Sequence, residues 1–214
     1  MSSSAPFQSD PQTLVSLALR LKGFGEVDVI ASVHGLDEAI AAEHLTSLVD
    51  AEKATAREVD GSVKYVLTKQ GRSEGEAALG VELDASGQRD AVRSAYEAFL
   101  LLNGKMLQLC TDWQIVEGTE SINDHSDDDY DQEIIGRLVD LDGGLRKVMA
   151  PLRGALARFD AYPARFREAL DRLLGGEIEY FTKPIISSYH TVWFELHEDL
   201  LATLGIDRAS EAGH

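Results

Sequence analysis

The pair Asp60-Gly61 constrains this chain more than any other feature. It separates two short β-type runs, Ala54–Val59 and Ser62–Leu67. A two-residue turn between antiparallel strands needs positive φ at both positions, which Asp-Gly supplies. A two-stranded hairpin is therefore predicted over 54–67. Upstream, Ile40, Ala41, His44, Leu45, Leu48 and Val49 recur at helical spacing after Leu36, so one face of a helix is buried there. Downstream, the second run passes through Thr68 towards Gly71, where another helix begins.

The residues before this stretch add two helices. Asp10-Pro11 suits a helix start, with Asp as the cap and Pro in the first turn. Leu14, Leu17, Ala18 and Leu21 line one face of that helix, and Gly23 closes it. A second, short helix is predicted from about Glu26 to Val33. Ala31 and Gly35 lie four apart, as a helix-turn-helix unit requires, and Asp37 can cap the third helix. The second strand ends Tyr65-Val66-Leu67-Thr68-Lys69-Gln70-Gly71. Here the sequence resembles the winged-helix domains of MarR-like transcription regulators, whose wing strand commonly ends in a Y-x-L-T-x-x-G pattern. The resemblance covers roughly residues 10 to 80. It implies a winged-helix domain over 11–80 that binds DNA, with the third helix reading bases, and a homodimer matching symmetric half-sites.

The third helix is unusual for that task. Its non-core face carries Glu38, Ala39, Ala42, Glu43, Thr46, Ser47 and Asp50, and no Arg, Lys, Asn or Gln occurs between Leu36 and Glu52. Those four residue types do most base and phosphate contacting. Only Thr46 and Ser47 are left to face the major groove. Residues 1–80 hold seven Lys or Arg against twelve acids, and five of the seven lie between Lys53 and Arg72. Lys53, Arg57, Lys64 and Lys69 are therefore the expected phosphate contacts, on or beside the wing; the plainer reading is ordinary edge-strand charge. The net charge of the whole chain, −17, repels nucleic acid at long range. It supports an alternative in which the winged helix docks a protein partner and never touches DNA.

Only one cysteine, Cys110, is present, which excludes an intramolecular disulfide and fits a reducing cytoplasm. No apolar run approaches the roughly 20 residues that span a bilayer, so no membrane association is expected. The Ser- and Pro-containing start lacks the basic and apolar regions of a secretion signal. It reads as a disordered lead-in over 1–10, and residues 207–214 read as a polar tail.

Between Arg72 and Gly80 the chain is rich in Gly and Glu, so the first domain is expected to end near 80. A connector with a strand at Val81-Glu82-Leu83 would follow, and a domain boundary near 84. Residues 85–206 then read as helices for dimerisation or effector sensing. One runs from Gln88 to about Trp113, with a bend at Asn103-Gly104. A second starts after Asn123-Asp124-His125-Ser126, with Ser126 and Asp129 as a capping box, and kinks or breaks near Gly143-Gly144 and Pro151. A third spans Pro163 to Leu174. The last runs from Ser187 or Ser188 to Leu204. An antiparallel bundle is the natural packing for such helices. The expected class is mainly α (α+β): a winged helix with a two-stranded wing, then an all-α bundle.

Candidate chemistry is sparse. Asn123–Asp131 holds five Asp and His125, but the spacing does not match a calcium loop. His190 and His197 are two turns apart, about 10 Å along an axis, too far to share one metal ion. Trp113, His125, Tyr189, His190, Trp193 and His197 together could frame a polar-rimmed apolar cavity for a small effector; the plainer reading is packing with satisfied histidines. No phosphate loop, dinucleotide fingerprint or nucleophile elbow is present. The sequence thus predicts a DNA-binding regulator with no enzymatic activity, cofactor or metal. A metal- or ligand-binding enzyme using His125, His190 and His197 is a second alternative.

Overall fold

In the computed structural model, which describes residues 5–208, the chain folds into eight α-helices and one two-stranded antiparallel sheet. It divides into two compact units. The first holds the described residues up to Arg89, Arg153–Ala161 and those from Glu195 on. The second holds Asp90–Leu152 and Tyr162–Phe194. Among the described residues, no helix is long and apolar enough to cross a membrane.

The first unit begins with α1 (Pro11–Lys22), α2 (Val27–His34) and α3 (Glu38–Asp50). The Asp10 carboxylate accepts the Thr13 backbone N–H at 3.0 Å and its hydroxyl at 2.6 Å. Burial works against the ionised Asp10, but these bonds outweigh it and hold its pKa below the usual value. Asp37 caps α3 through the Ala39 N–H at 2.8 Å. Leu17, Leu19, Ile30, Ala41, Leu45 and Leu48 form one apolar cluster between these helices.

Strands β1 (Ala54–Val59) and β2 (Ser62–Leu67) follow, paired from Ala54↔Leu67 to Val59↔Ser62. Asp60 and Gly61 take φ of 53° and 81°, as the predicted turn demands. Tyr65 also exchanges both backbone bonds with Gly25, at 3.2 and 2.9 Å, which ties the hairpin to the segment between α1 and α2.

Thr68 then opens α4 (Lys69–Ser86). Its Oγ1 accepts the Gly71 N–H at 3.1 Å, and its hydroxyl lies 3.0 Å from the Glu52 carbonyl. A Cβ on Gly71 would stand 1.9 Å from the Lys53 carbonyl oxygen. The Thr and Gly of the quoted motif thus have separate physical reasons: one caps the helix, the other lets it lie against the turn before β1. Helix α4 does not end near 80, and Val81–Leu83 is not a strand. Leu79 and Leu83 are both buried at helical spacing, which carries the helix on to Gly87 in the left-handed region.

Two later segments belong to this unit. Phe7 pairs in parallel with Leu156 through bonds to Ala155 and Ala157. The expected lead-in is therefore held at Phe7, while residues 1–4 lie outside the described residues. Arg158, in a short 3-10 turn (Ala157–Asp160), is buried and ion-paired with Glu82 of α4 and with Asp199. Its Nη2 also donates to Thr203 at 2.6 Å. Arg20 and Lys22 of α1 reach Glu198 and Glu195 at 3.1 and 2.7 Å. These pairs, with Ala202 in the apolar cluster, assign residues 153–161 and 195–206 to the first unit. The expected division placed them in a second domain over 85–206. Of the expected tail, 209–214 lies outside the described residues.

The second unit is built from α5 (Arg89–Gln114), α6 (Asp128–Ala155), α7 (Ala161–Leu174) and α8 (Tyr189–Leu204), each sharing one or more residues with the first unit. Helix α5 runs through Asn103-Gly104 and α6 through Gly143-Gly144 and Pro151, so neither helix is broken there. The start of α6 also differs by one residue from the expected capping box. Asp127 rather than Ser126 caps it, accepting the Tyr130 N–H at 3.1 Å.

Candidate functional site

The hairpin has two faces because strand side chains alternate. Ala54, Tyr65 and Leu67 share the face turned to the apolar cluster. Thr55, Arg57, Val59, Ser62, Lys64 and Val66 share the other. Arg57 and Lys64 stand directly opposite each other across the ladder. Like charges so placed repel, and neither makes an ion pair among the described residues. The Lys64 ammonium lies 5.8 Å from the centroid of the Phe24 ring, which is 58% exposed. Lys69 is exposed on the first turn of α4 and also lacks an ion pair among the described residues.

The other two basic residues of this stretch are used internally. Lys53 Nζ contacts Glu74 at 2.8 Å, and hydrogen bonds from Lys53 and then Gln70 hold the Glu74 carboxyl below its ordinary pKa. Arg72 contacts Glu76, which Arg20 also reaches. Arg57, Lys64 and Lys69 are thus the cations of the expected phosphate-contacting set left open to an anion.

Thr46 and Ser47 are exposed on α3, as expected for a face turned away from the core. Thr46 spends its hydroxyl on the Ala42 carbonyl at 2.9 Å. Around them lie exposed Glu38, Glu43 and Asp50, and Ile40 at 41% exposure. Helix α3 therefore presents carboxylates and the hairpin presents cations.

The six residues expected to frame a ligand cavity separate into different environments. Trp113 and His125 do meet, with ring centroids 4.5 Å apart. His125 Nδ1 lies 2.9 Å from Asp131 Oδ2. Asn123 Nδ2 donates to Asp131 Oδ1 at 2.8 Å and to the Trp113 carbonyl at 3.2 Å, and its Oδ1 accepts the His125 N–H. Phe181 packs on the other side of Trp113 at 4.8 Å. This network satisfies its buried polar groups and clamps the connection between α5 and α6, where His125 itself has φ of 60°. It offers an imidazole oriented by the Asp131 carboxylate.

Tyr189 and Trp193 are core residues. Trp193 stacks on Phe99 at 4.9 Å and donates its indole N–H to Asn103 at 2.9 Å. The Tyr189 hydroxyl donates to Asp142 at 3.1 Å, and burial followed by the Asp142 charge raises its pKa. His190 is half-buried, and that burial lowers its pKa. His197 is buried in the first unit, whereas His125 and His190 belong to the second. Among the described residues no group of three His, Cys, Asp or Glu side chains is placed to hold a metal ion. Burial pushes the Cys110 thiol up to about 12, which suits a packing residue.

The sequence reading overlooked Phe24 beneath Lys64 and Phe181 beneath Trp113. Neither has a local signal, because both contacts join residues far apart in the chain. Compared with protein-family models, curated proteins and solved structures, the chain matches none.

Proposed function

We propose that the protein is a cytoplasmic transcription regulator whose first unit is a winged helix and whose helical remainder serves dimerisation or effector sensing. The observation that carries this reading is the Arg57–Lys64 pair. Two cations held face to face on a ribbon, with no carboxylate partner, are relieved by a polyanion. The ribbon follows a helix-turn-helix, α2–Gly35–α3, as a wing does. DNA is gripped by Arg57, Lys64 and Lys69 on phosphates, with Thr46 and Ser47 of α3 nearest the bases. The carboxylates of α3 make that helix a poor reader. Much of the affinity is therefore electrostatic, and a homodimer supplies the second half-site.

The test is fluorescence anisotropy with duplex fragments flanking the protein's own gene, at about 50 and 200 mM salt, where a few phosphate contacts should weaken binding by at least tenfold. Arg57→Ala with Lys64→Ala should flatten that salt response. Absence of binding at the lower salt, with and without a metabolite library, would sink the DNA reading. The exposed acids and Ile40 of α3 support a second reading in which this face docks a basic partner protein.

A further inference from the structure

A cavity of about 380 Å³ lies between α5 and α6 in the second unit, lined by none of the residues expected to bind a ligand. Its volume falls within the range of small-molecule sites. The floor is apolar: Leu109 and Leu141 are buried, and Leu102 covers one end. Gly144 lets Leu102 lie that close, since a Cβ there would meet the Leu102 side chain at 3.2 Å.

The charges around the floor are of both signs. Arg137 contributes a guanidinium whose Nη2 is 2.6 Å from Asp112 Oδ2. Asp112 is buried and also accepts from Gln108 at 2.6 Å, so the guanidinium is held in place and its charge is balanced. Lys105 on α5 and Asp140 on α6 remain. Both line the cavity, both are exposed, and neither makes an ion pair or hydrogen bond among the described residues. Lys105, Arg137 and Asp140 of the lining, taken with the Asp112 that pairs with Arg137, sum to no net charge and offer a separate positive and negative pole over an apolar base. A simple carboxylate would leave Asp140 unanswered, and a simple amine would leave Lys105 unanswered.

We propose that this groove binds a free α-amino acid with an apolar side chain. The ammonium pairs with Asp140, the carboxylate with Lys105 and with the Arg137 guanidinium, whose Nη1 otherwise faces Glu117 at 3.9 Å, and the side chain rests on Leu102, Leu109 and Leu141. The inference stands apart from the hairpin reading, because the binding is measured with no DNA present.

Titration calorimetry of the full chain with L-leucine and L-phenylalanine, each against its N-acetyl and amide derivative, tests it. An apolar amino acid should bind, and masking either charge should weaken it about tenfold, the scale of one charge-assisted contact. Asp140→Asn should weaken the free amino acid by a similar factor while leaving the N-acetyl form unchanged. Lys105→Gln should do the same for the free amino acid and spare the amide. Both side chains are exposed, and unaltered circular dichroism will confirm that the variants fold. Failure of either amino acid to bind at millimolar concentration overturns the proposal. So does binding that survives both substitutions, or tighter binding of the N-acetyl form.

Discussion

In the first unit, the Arg158 guanidinium is enclosed by Glu82, Asp199 and Thr203. In the second, Trp193 is enclosed by Phe99, Phe166 and Tyr189. Both are deep sites, yet they hold their surroundings by different physics. A buried ion demands every partner at once, because the desolvated charge left behind has no substitute. A ring stack carries no net charge, so loss of one member costs area and leaves a cavity without stranding an ion. The ionic site is therefore selective about which segments may complete it. That explains how pieces as distant in sequence as 82, 158 and 199 come to share one unit.

The sharpest way to break this comparison is by truncation on each side. Arg158→Ala should cost about 3–5 kcal/mol, measured by urea unfolding, by leaving Glu82 and Asp199 buried together. Trp193→Ala should cost a similar amount, about 3–5 kcal/mol. The two should differ under repair: replacing Glu82 and Asp199 by apolar residues of similar volume in the Arg158→Met background should restore much of the loss. No second substitution restores the missing ring.

A smaller effect is expected at Gly71, where a methyl group would run into the Lys53 carbonyl. Gly71→Ala should cost about 1–3 kcal/mol or more by overpacking, read as a fall in thermal midpoint. Gly61→Ala, at φ of 81°, should cost about 1–2 kcal/mol and loosen the hairpin amides in hydrogen exchange.

The smallest effect belongs to His190. Burial depresses its folded pKa below 6.5, so the unfolded chain takes up a proton first as the pH falls. Its contribution to stability is present above pH 6.5 and is lost as the pH drops through the folded pKa. His190→Gln should remove that part of the acid sensitivity, seen as a shallower fall in unfolding free energy below pH 6.5 than the parent shows.

Legibility in the sequence followed locality. The hairpin and its turn were readable at Asp60-Gly61, and the ends of α1 at Asp10 and Gly23, because each rests on the backbone needs of one or two residues. Helix α4 was misread past Gly80, since glycine spacing outweighed the single Leu79–Leu83 pair that keeps the helix going. Asn123, His125 and Asp131 were close in sequence and met in space. The aromatic residues of α8 were legible as a stripe, but whether they line a cavity or fill a core depends on Phe99 and Phe166, which no pattern near Trp193 reveals. The α5–α6 groove was missed for the same reason: Lys105 and Asp140 are ordinary solvated charges until two helices bring them to one cavity.

The facing cations of the hairpin also shape how the ribbon behaves alone. Added salt weakens an attractive contact such as Lys53–Glu74 and relaxes a repulsive one such as Arg57–Lys64. The hairpin and the segment that roots it thus answer ionic strength in opposite directions. The ribbon becomes firmer along its rungs as its root loosens, and the Arg57–Lys64 rung is most easily parted in dilute buffer.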